Sequence, residues 1–310
     1  MVEEFVLRTY GLTKKFGNKT VLNNLNLSIR KGDIYGFIGP NGAGKTTAMK
    51  VILDLLSASE GAVELFGQPR SSGCLNRVGS LIESPGLYTG CTALENMKRF
   101  AILCDATDDD IRFYLRMVGL ETVGNKKVGA FSLGMQQRLG IAIALLGNPE
   151  LLILDEPVNG LDPMGMRDVR DIIQFINKEK GVTFFISSHL LGELEKIANV
   201  YGIINCGMLI EEVTAEALER RCGFNVVVKC SDPEIALEVL KQKFSIENAI
   251  LKNGVITIPA DPAVSAKINE GLVTSGIAVS ELGVNRISYE DYLLNRMGTL
   301  NVGSGVGQYV

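Results

Sequence analysis

Gly39-Pro40-Asn41-Gly42-Ala43-Gly44-Lys45-Thr46 decides the reading of this chain. The run fits G-x-x-x-x-G-K-[ST], and it stands where such a loop must stand, between an apolar strand pattern at 35–38 and a helical run at 47–56. The glycines let the backbone curl until successive N–H groups face one point, and the opening turn of the helix adds partial positive charge there. A nucleoside triphosphate fits such a cradle. The backbone from Gly39 to Gly44, with Pro40, Asn41, Gly42 and Ala43 between, supplies the cradle, and Thr47 belongs to the first helical turn. Lys45 reaches the β and γ phosphates, and the Thr46 hydroxyl is placed for Mg²⁺.

Downstream, Leu151-Leu152-Ile153-Leu154-Asp155-Glu156-Pro157 supplies a second element. Four apolar residues make a buried strand that carries Asp155 to its end, where a carboxylate can hold the metal directly or through water. Glu156 then stands where it can orient or deprotonate an attacking water. Alone, an apolar strand ending in Asp-Glu is as well read as an exposed acidic turn. After a phosphate loop it reads as the other half of a hydrolytic site.

Between the two lies Phe131-Ser132-Leu133-Gly134-Met135-Gln136-Gln137-Arg138. Ser132 is a good helix N-cap, so the run opens a helix whose first N–H groups lack intrahelical partners. It also resembles the signature sequence of the ABC ATPases, and the resemblance covers about residues 3–218. The resemblance implies an α/β P-loop NTPase with a mixed-sheet core and a helical subdomain. It implies ATP hydrolysis with ATP and Mg²⁺, and sites in which Ser132 and Gly134 of one subunit contact the γ-phosphate held by another. Asn159-Gly160-Leu161-Asp162 resembles the loop that crosses that interface. His189, the single histidine, follows a Ser-Ser pair as the γ-phosphate-sensing histidine does in the family. Tyr10 matches the aromatic position that stacks on adenine.

One position departs from the family pattern. Where most members carry a glutamine that touches Mg²⁺ and the water, this chain has Glu83, in Ile82-Glu83-Ser84-Pro85-Gly86. That variant resembles the ATPases of bacterial exporters for lantibiotics and bacitracin-like peptides, which also carry an extra domain after the core. Glu83 is therefore expected both in catalysis and at the metal, with Thr46 and Asp155. The segment behind it, 83–96, is where family members dock a membrane subunit.

Past Arg220-Arg221 the composition changes. Strand-like 224–230, helical 233–243, strands 249–252 and 255–259 around Asn253-Gly254, helical 262–275 and strand-like 277–281 follow in order. That β-α-β-β-α-β succession predicts a small ferredoxin-like α+β domain. The expected division is 1–218, the ATPase core; 219–297, the accessory domain ending in a helix at 288–296; and 298–310, a Gly-rich flexible tail.

The bulk properties fit. With 46% hydrophobic and 21% charged residues the chain can bury a core, and a net charge of −4 argues against a nucleic-acid partner. Six scattered cysteines without Cys-x-x-Cys spacing read as free thiols. No apolar run is long enough to span a bilayer. The chain is thus expected in the cytoplasm, on the inner face of the cell membrane through a separate permease, as a homodimer with two competent sites. ABC ATPases that act in translation or DNA repair are the alternative. The former carry two cassettes, whereas this chain has one, and the latter need a coiled-coil insertion for which 45–132 leaves no room.

Overall fold

Three sheets account for the strands of the computed structural model, which describes residues 4–286 and 292. The largest is built from runs that the sequence makes apolar almost throughout. Ile34–Ile38, Leu151–Asp155 and Thr183–Ser188 are buried at every position, as strands covered on both faces must be. The sheet runs Met208–Thr214, Val200–Asn205, Ile34–Ile38, Thr183–Ser188, Leu151–Asp155, Val78–Leu81, with Met208–Thr214 antiparallel at one edge and the rest parallel. Ile38 lies opposite Ser188, and Asp155 opposite Ser187. That register brings the carboxyl ends of three central strands to one rim, where ligands bind in open parallel sheets.

A second, antiparallel sheet is centred on Phe5–Phe16, which pairs with Lys19–Leu25, Ser28–Arg30 and Glu60–Leu65. Helix Lys45–Ile52 belongs to the core cluster shared by both sheets. Its Ala48, Met49, Val51 and Ile52 are buried in one cluster with Leu7, Leu12 and Leu22 of the antiparallel sheet and Leu151, Ile153 and Phe185 of the parallel one. Each large aliphatic so buried contributes roughly 1.5–3 kcal/mol, so the helix carrying the phosphate loop is firmly anchored. Helices Ala93–Ala101, Asp108–Met117 and Leu133–Ala144 form the helical region. The first two open on reciprocal capping boxes, Thr92 with Glu95 and Thr107 with Asp110. The backbone N–H of Thr92, then Lys127, hold the Glu95 carboxyl below its usual range.

The chain divides into two compact units, Met1–Ala215 and Glu216–Val310. In the second, strands Phe224–Cys230, Ile250–Lys252, Val255–Pro259 and Val279–Arg286 form an antiparallel sheet. Val255–Pro259 and Val279–Arg286 flank Phe224–Cys230, and Ile250–Lys252 lies at the outer edge. With helices Pro233–Phe244 and Ser265–Thr274 this is the ferredoxin-like order. Val226, Val228, Leu240, Ile256, Ile258 and Ile268 form its core. The last strand is longer than the expected 277–281: Gly283 interrupts the pattern of branched residues, yet the pairing continues until Arg286 meets Phe224. The helix expected at 288–296 and the tail at 298–310 fall outside the described residues, Tyr292 apart.

All six cysteines are free. Among the described residues no helix is long and apolar enough to cross a membrane.

Candidate active site

The loop from Gly39 to Gly44 leaves the buried strand Ile34–Ile38 and enters helix Lys45–Ile52 through Gly44. Gly44 has φ 108° and offers no side chain to cap the helix. A side chain there would be strained, and a Cβ would come within 2.9 Å of Leu22 Cδ2. The first helical N–H groups are therefore left to an external acceptor. The Lys45 ammonium curls over the loop, donating to the Gly39 carbonyl at 2.7 Å and the Pro40 carbonyl at 3.3 Å.

Two further segments converge on this loop. Thr46 Oγ1 donates to Asp155 Oδ2 at 2.8 Å, and Ser187 Oγ donates to Asp155 Oδ1 at 2.6 Å. Asp155 is 3% exposed, and both of its oxygens are thus satisfied by hydroxyls. Glu156 turns out of the strand at φ 50°, a conformation that costs of order 1–3 kcal/mol and concentrates at functional sites. Its N–H donates to Ser187 Oγ at 2.9 Å. The turn aims its carboxylate back at the loop, 3.2 Å from the Lys45 ammonium, and His189 Nδ1 lies 2.7 Å from the other carboxylate oxygen. One ammonium, two carboxylates, two hydroxyls and an imidazole thus form a continuous network around the mouth of the loop.

The cavity in front of that network has a volume of about 360 Å³ and is bordered by Gly42, Gly44, Thr46, Glu156 and Asn159. Its other wall is Lys19 and Val21 of the antiparallel sheet. The donors suit a triphosphate with a hard divalent cation: Thr46 and Asp155 present oxygens 2.8 Å apart, and phosphate oxygens would complete the shell.

Ser132 and Gly134 border a different cavity, of about 410 Å³, together with Gly160, Leu161 and Asp162. Ser132 caps helix Leu133–Ala144, its Oγ accepting from Met135 N at 3.3 Å. Asp162 caps the helix that opens at Pro163, accepting from Gly165 N at 2.9 Å. The two cavities share no lining residue, although Asn159 borders the first and its neighbour Gly160 the second.

Two expected site residues stand apart from the network. Glu83, at φ 64° and 63% exposed in its side chain, pairs with Lys50 at 2.6 Å. Lys50 lies one turn beyond Thr46 on the same helix, so Glu83 sits over that helix face and not among Thr46 and Asp155. Tyr10 is directed to the neighbouring strand Glu60–Leu65, where its hydroxyl donates to Glu64 at 3.2 Å, and it does not border the phosphate-loop cavity. The chain's approach to that cavity comes six residues later. The exposed aromatic Phe16 pairs in register with Lys19, a cavity residue. Sequence reasoning also missed Ser187, the hydroxyl that joins Asp155 to Glu156. Its position in Ser187-Ser188 at the end of a buried strand was the available signal.

Residues 22–159 match the family model described as ABC transporter, and residues 125–195 match one described as an AAA domain. The chain is 40% identical over 303 residues to the bacitracin transport ATP-binding protein BcrA of Bacillus licheniformis, covering 96% of this chain and 99% of that one. It is 45% identical over 207 residues to the lantibiotic transport ATP-binding protein SrtF of Streptococcus pyogenes, covering 67% and 90%. Among solved structures it is similar to the ADP conformation of MJ1267, an ATP-binding cassette of an ABC transporter. That similarity has a TM-score of 0.62 and 26% identity, and covers 69% of this chain and 92% of that one.

Proposed function

This chain belongs to the ATP-binding proteins of ABC transporters, and from that premise we propose that two copies sandwich MgATP and drive export of a peptide antibiotic through a separate permease. The separation of the two cavities carries the two-chain part of the reading. Ser132 and Gly134 do not border the cavity of Lys45 and Glu156 within one chain, so a site using both needs a second copy. The short link from Asn159 to Asp162 is then the segment that runs along the interface.

In the assembled site the loop N–H groups and Lys45 hold the β and γ phosphates. Thr46 and Asp155 would hold Mg²⁺, which would supply charge neutralisation at the transferring phosphoryl group. Glu156 accepts the proton of the attacking water or orients it, and His189, beside Glu156 through Nδ1, meets the γ-phosphate through an Nε2–H, an arrangement in which both ring nitrogens donate. Glu83, bound to Lys50 of the phosphate-loop helix, ties the segment 83–96 to that helix and so to the nucleotide.

The peptide-antibiotic cargo is supported by the two relatives' names and by Glu83. Cells carrying this chain with its permease are expected to survive bacitracin or a lantibiotic at concentrations that kill cells carrying Lys45→Ala. Equal sensitivity to both drug classes would overturn the cargo and leave the ATPase reading standing.

For the base, Phe16 takes the stacking role that the family resemblance gives to Tyr10. Stacking on an aromatic ring is worth roughly 1–3 kcal/mol, so Phe16→Ala should weaken equilibrium ATP binding by about five- to 150-fold. Tyr10→Leu should leave it near the native value. A reversed pair of results would return the stacking role to Tyr10.

A further inference from the structure

We propose that Gly207 is a positioning residue for ATP binding, a backbone buckle that fastens the phosphate loop to the opposite wall of its cavity. The inference rests on the ATP site described above.

Asn205-Cys206-Gly207-Met208 is the hairpin turn between Val200–Asn205 and Met208–Thr214. Cys206 and Gly207 have φ 48° and 78°, as a two-residue hairpin of the right twist requires. Far from being a free surface turn, it is inserted between the two walls. The Gly207 N–H donates to the Ala43 carbonyl, inside the phosphate loop, at 2.9 Å. The Gly207 carbonyl accepts from Asn23 N, also at 2.9 Å. Asn23 lies on strand Lys19–Leu25, whose Lys19 and Val21 line the far side of the cavity. A single residue therefore bonds both walls through its backbone.

The fit leaves no room for a side chain. A Cβ on Gly207 would lie 2.2 Å from the Val21 carbonyl oxygen and 3.1 Å from Leu22 Cα. A Cβ on Gly44 would meet Leu22, Val21 and, at 3.7 Å, Gly207 itself. Three backbones meet here, and the distance between the loop and the strand is set by how closely they approach. The groups that act on water are carried elsewhere. Asp155 ends strand Leu151–Asp155, Glu156 follows it, and His189 follows Thr183–Ser188. Loosening the buckle should therefore weaken the grip on ATP while leaving the chemistry in place.

The test is the steady-state ATPase of the full-length dimer. Gly207→Ala must displace the loop or the strand, and KM for ATP should rise about tenfold, the effect of losing one well-made backbone hydrogen bond. At saturating ATP, kcat should stay near native. Cys206→Asn, which suits the left-handed turn position and keeps the buckle, should leave KM unchanged. A native KM in Gly207→Ala, or a fall in kcat at constant KM, would overturn the proposal. Should Gly207→Ala not fold, hydrogen exchange on the native chain decides instead. The Gly207 amide should exchange more slowly when saturating ATP stabilises the loop it is bonded to. An exchange rate indifferent to ATP would overturn the proposal. Failure of the native chain to bind ATP would refute the site reading itself.

Discussion

Glu156→Gln should bind ATP at least as tightly as the native chain and hydrolyse it about 10²–10⁴-fold more slowly. The amide has almost the carboxylate's shape and can still accept from His189, so the local fold should survive. What disappears is the negative charge that takes or orients the water's proton. The same charge lies 3.2 Å from the Lys45 ammonium, in a pair whose side chains are 6% and 19% exposed. In the native chain Glu156 therefore competes with phosphate for Lys45. Removing the competitor leaves the ammonium with the Gly39 and Pro40 carbonyls and favours its transfer to phosphate. Binding and turnover thus move in opposite directions, and the ATP-bound dimer should accumulate on gel filtration. Equilibrium binding and single-turnover rates measured together check this. Native turnover would remove Glu156 from its role. An affinity loss as large as that of Lys45→Ala would show that the pair supports the loop and does not compete with ATP.

The parts of this site that the sequence makes legible are those whose chemistry is local. The phosphate loop, the Asp155-Glu156 strand end and the Ser132 cap each place their atoms through a few adjacent residues. What the sequence hides is how separate strands align. Tyr10 and Phe16 lie on one strand, but its pairing is interrupted between Tyr10 and Thr13 on one side and between Leu12 and Lys15 on the other. Those irregularities set where each aromatic stands relative to Lys19 and Val21 of the cavity wall, and no local pattern encodes them. The Ser187 link to Asp155 likewise depends on the register of two parallel strands. Gly207 reads as an ordinary hairpin glycine, yet its partners Ala43 and Asn23 are far away in the chain. The expected strand 277–281 starts before the observed Val279–Arg286 and ends before it, because propensity weakens toward Gly283 whereas pairing with a neighbouring strand does not.

The proposed sharing of a site between two chains yields the most discriminating result. In the proposed dimer, Lys45→Ala removes the ammonium that contacts the phosphates, and Ser132→Arg puts a bulky cation where the helix N-terminus meets a γ-phosphate. Each should abolish hydrolysis in its own homodimer, the first by losing ATP and the second by blocking closure. If Ser132 acted on the nucleotide of its own chain, mixing the two inactive proteins would restore nothing. If it acts across the interface, a mixed dimer regains one intact site. That site joins Lys45 of the Ser132→Arg chain to Ser132 of the Lys45→Ala chain, while the second site carries both defects. With random pairing half the dimers are mixed and each has one good site of two, so activity should return to about a quarter of native at most. Placing both substitutions on one chain and mixing it with native protein provides the opposite arrangement. Every mixed dimer then has one defect in each site, so pairing should subtract activity and never restore it. Rescue in the first mixture without loss in the second would contradict this geometry, as would silence in the first. The cavities already favour exchange between chains, because Lys45 and Ser132 border separate spaces in each copy.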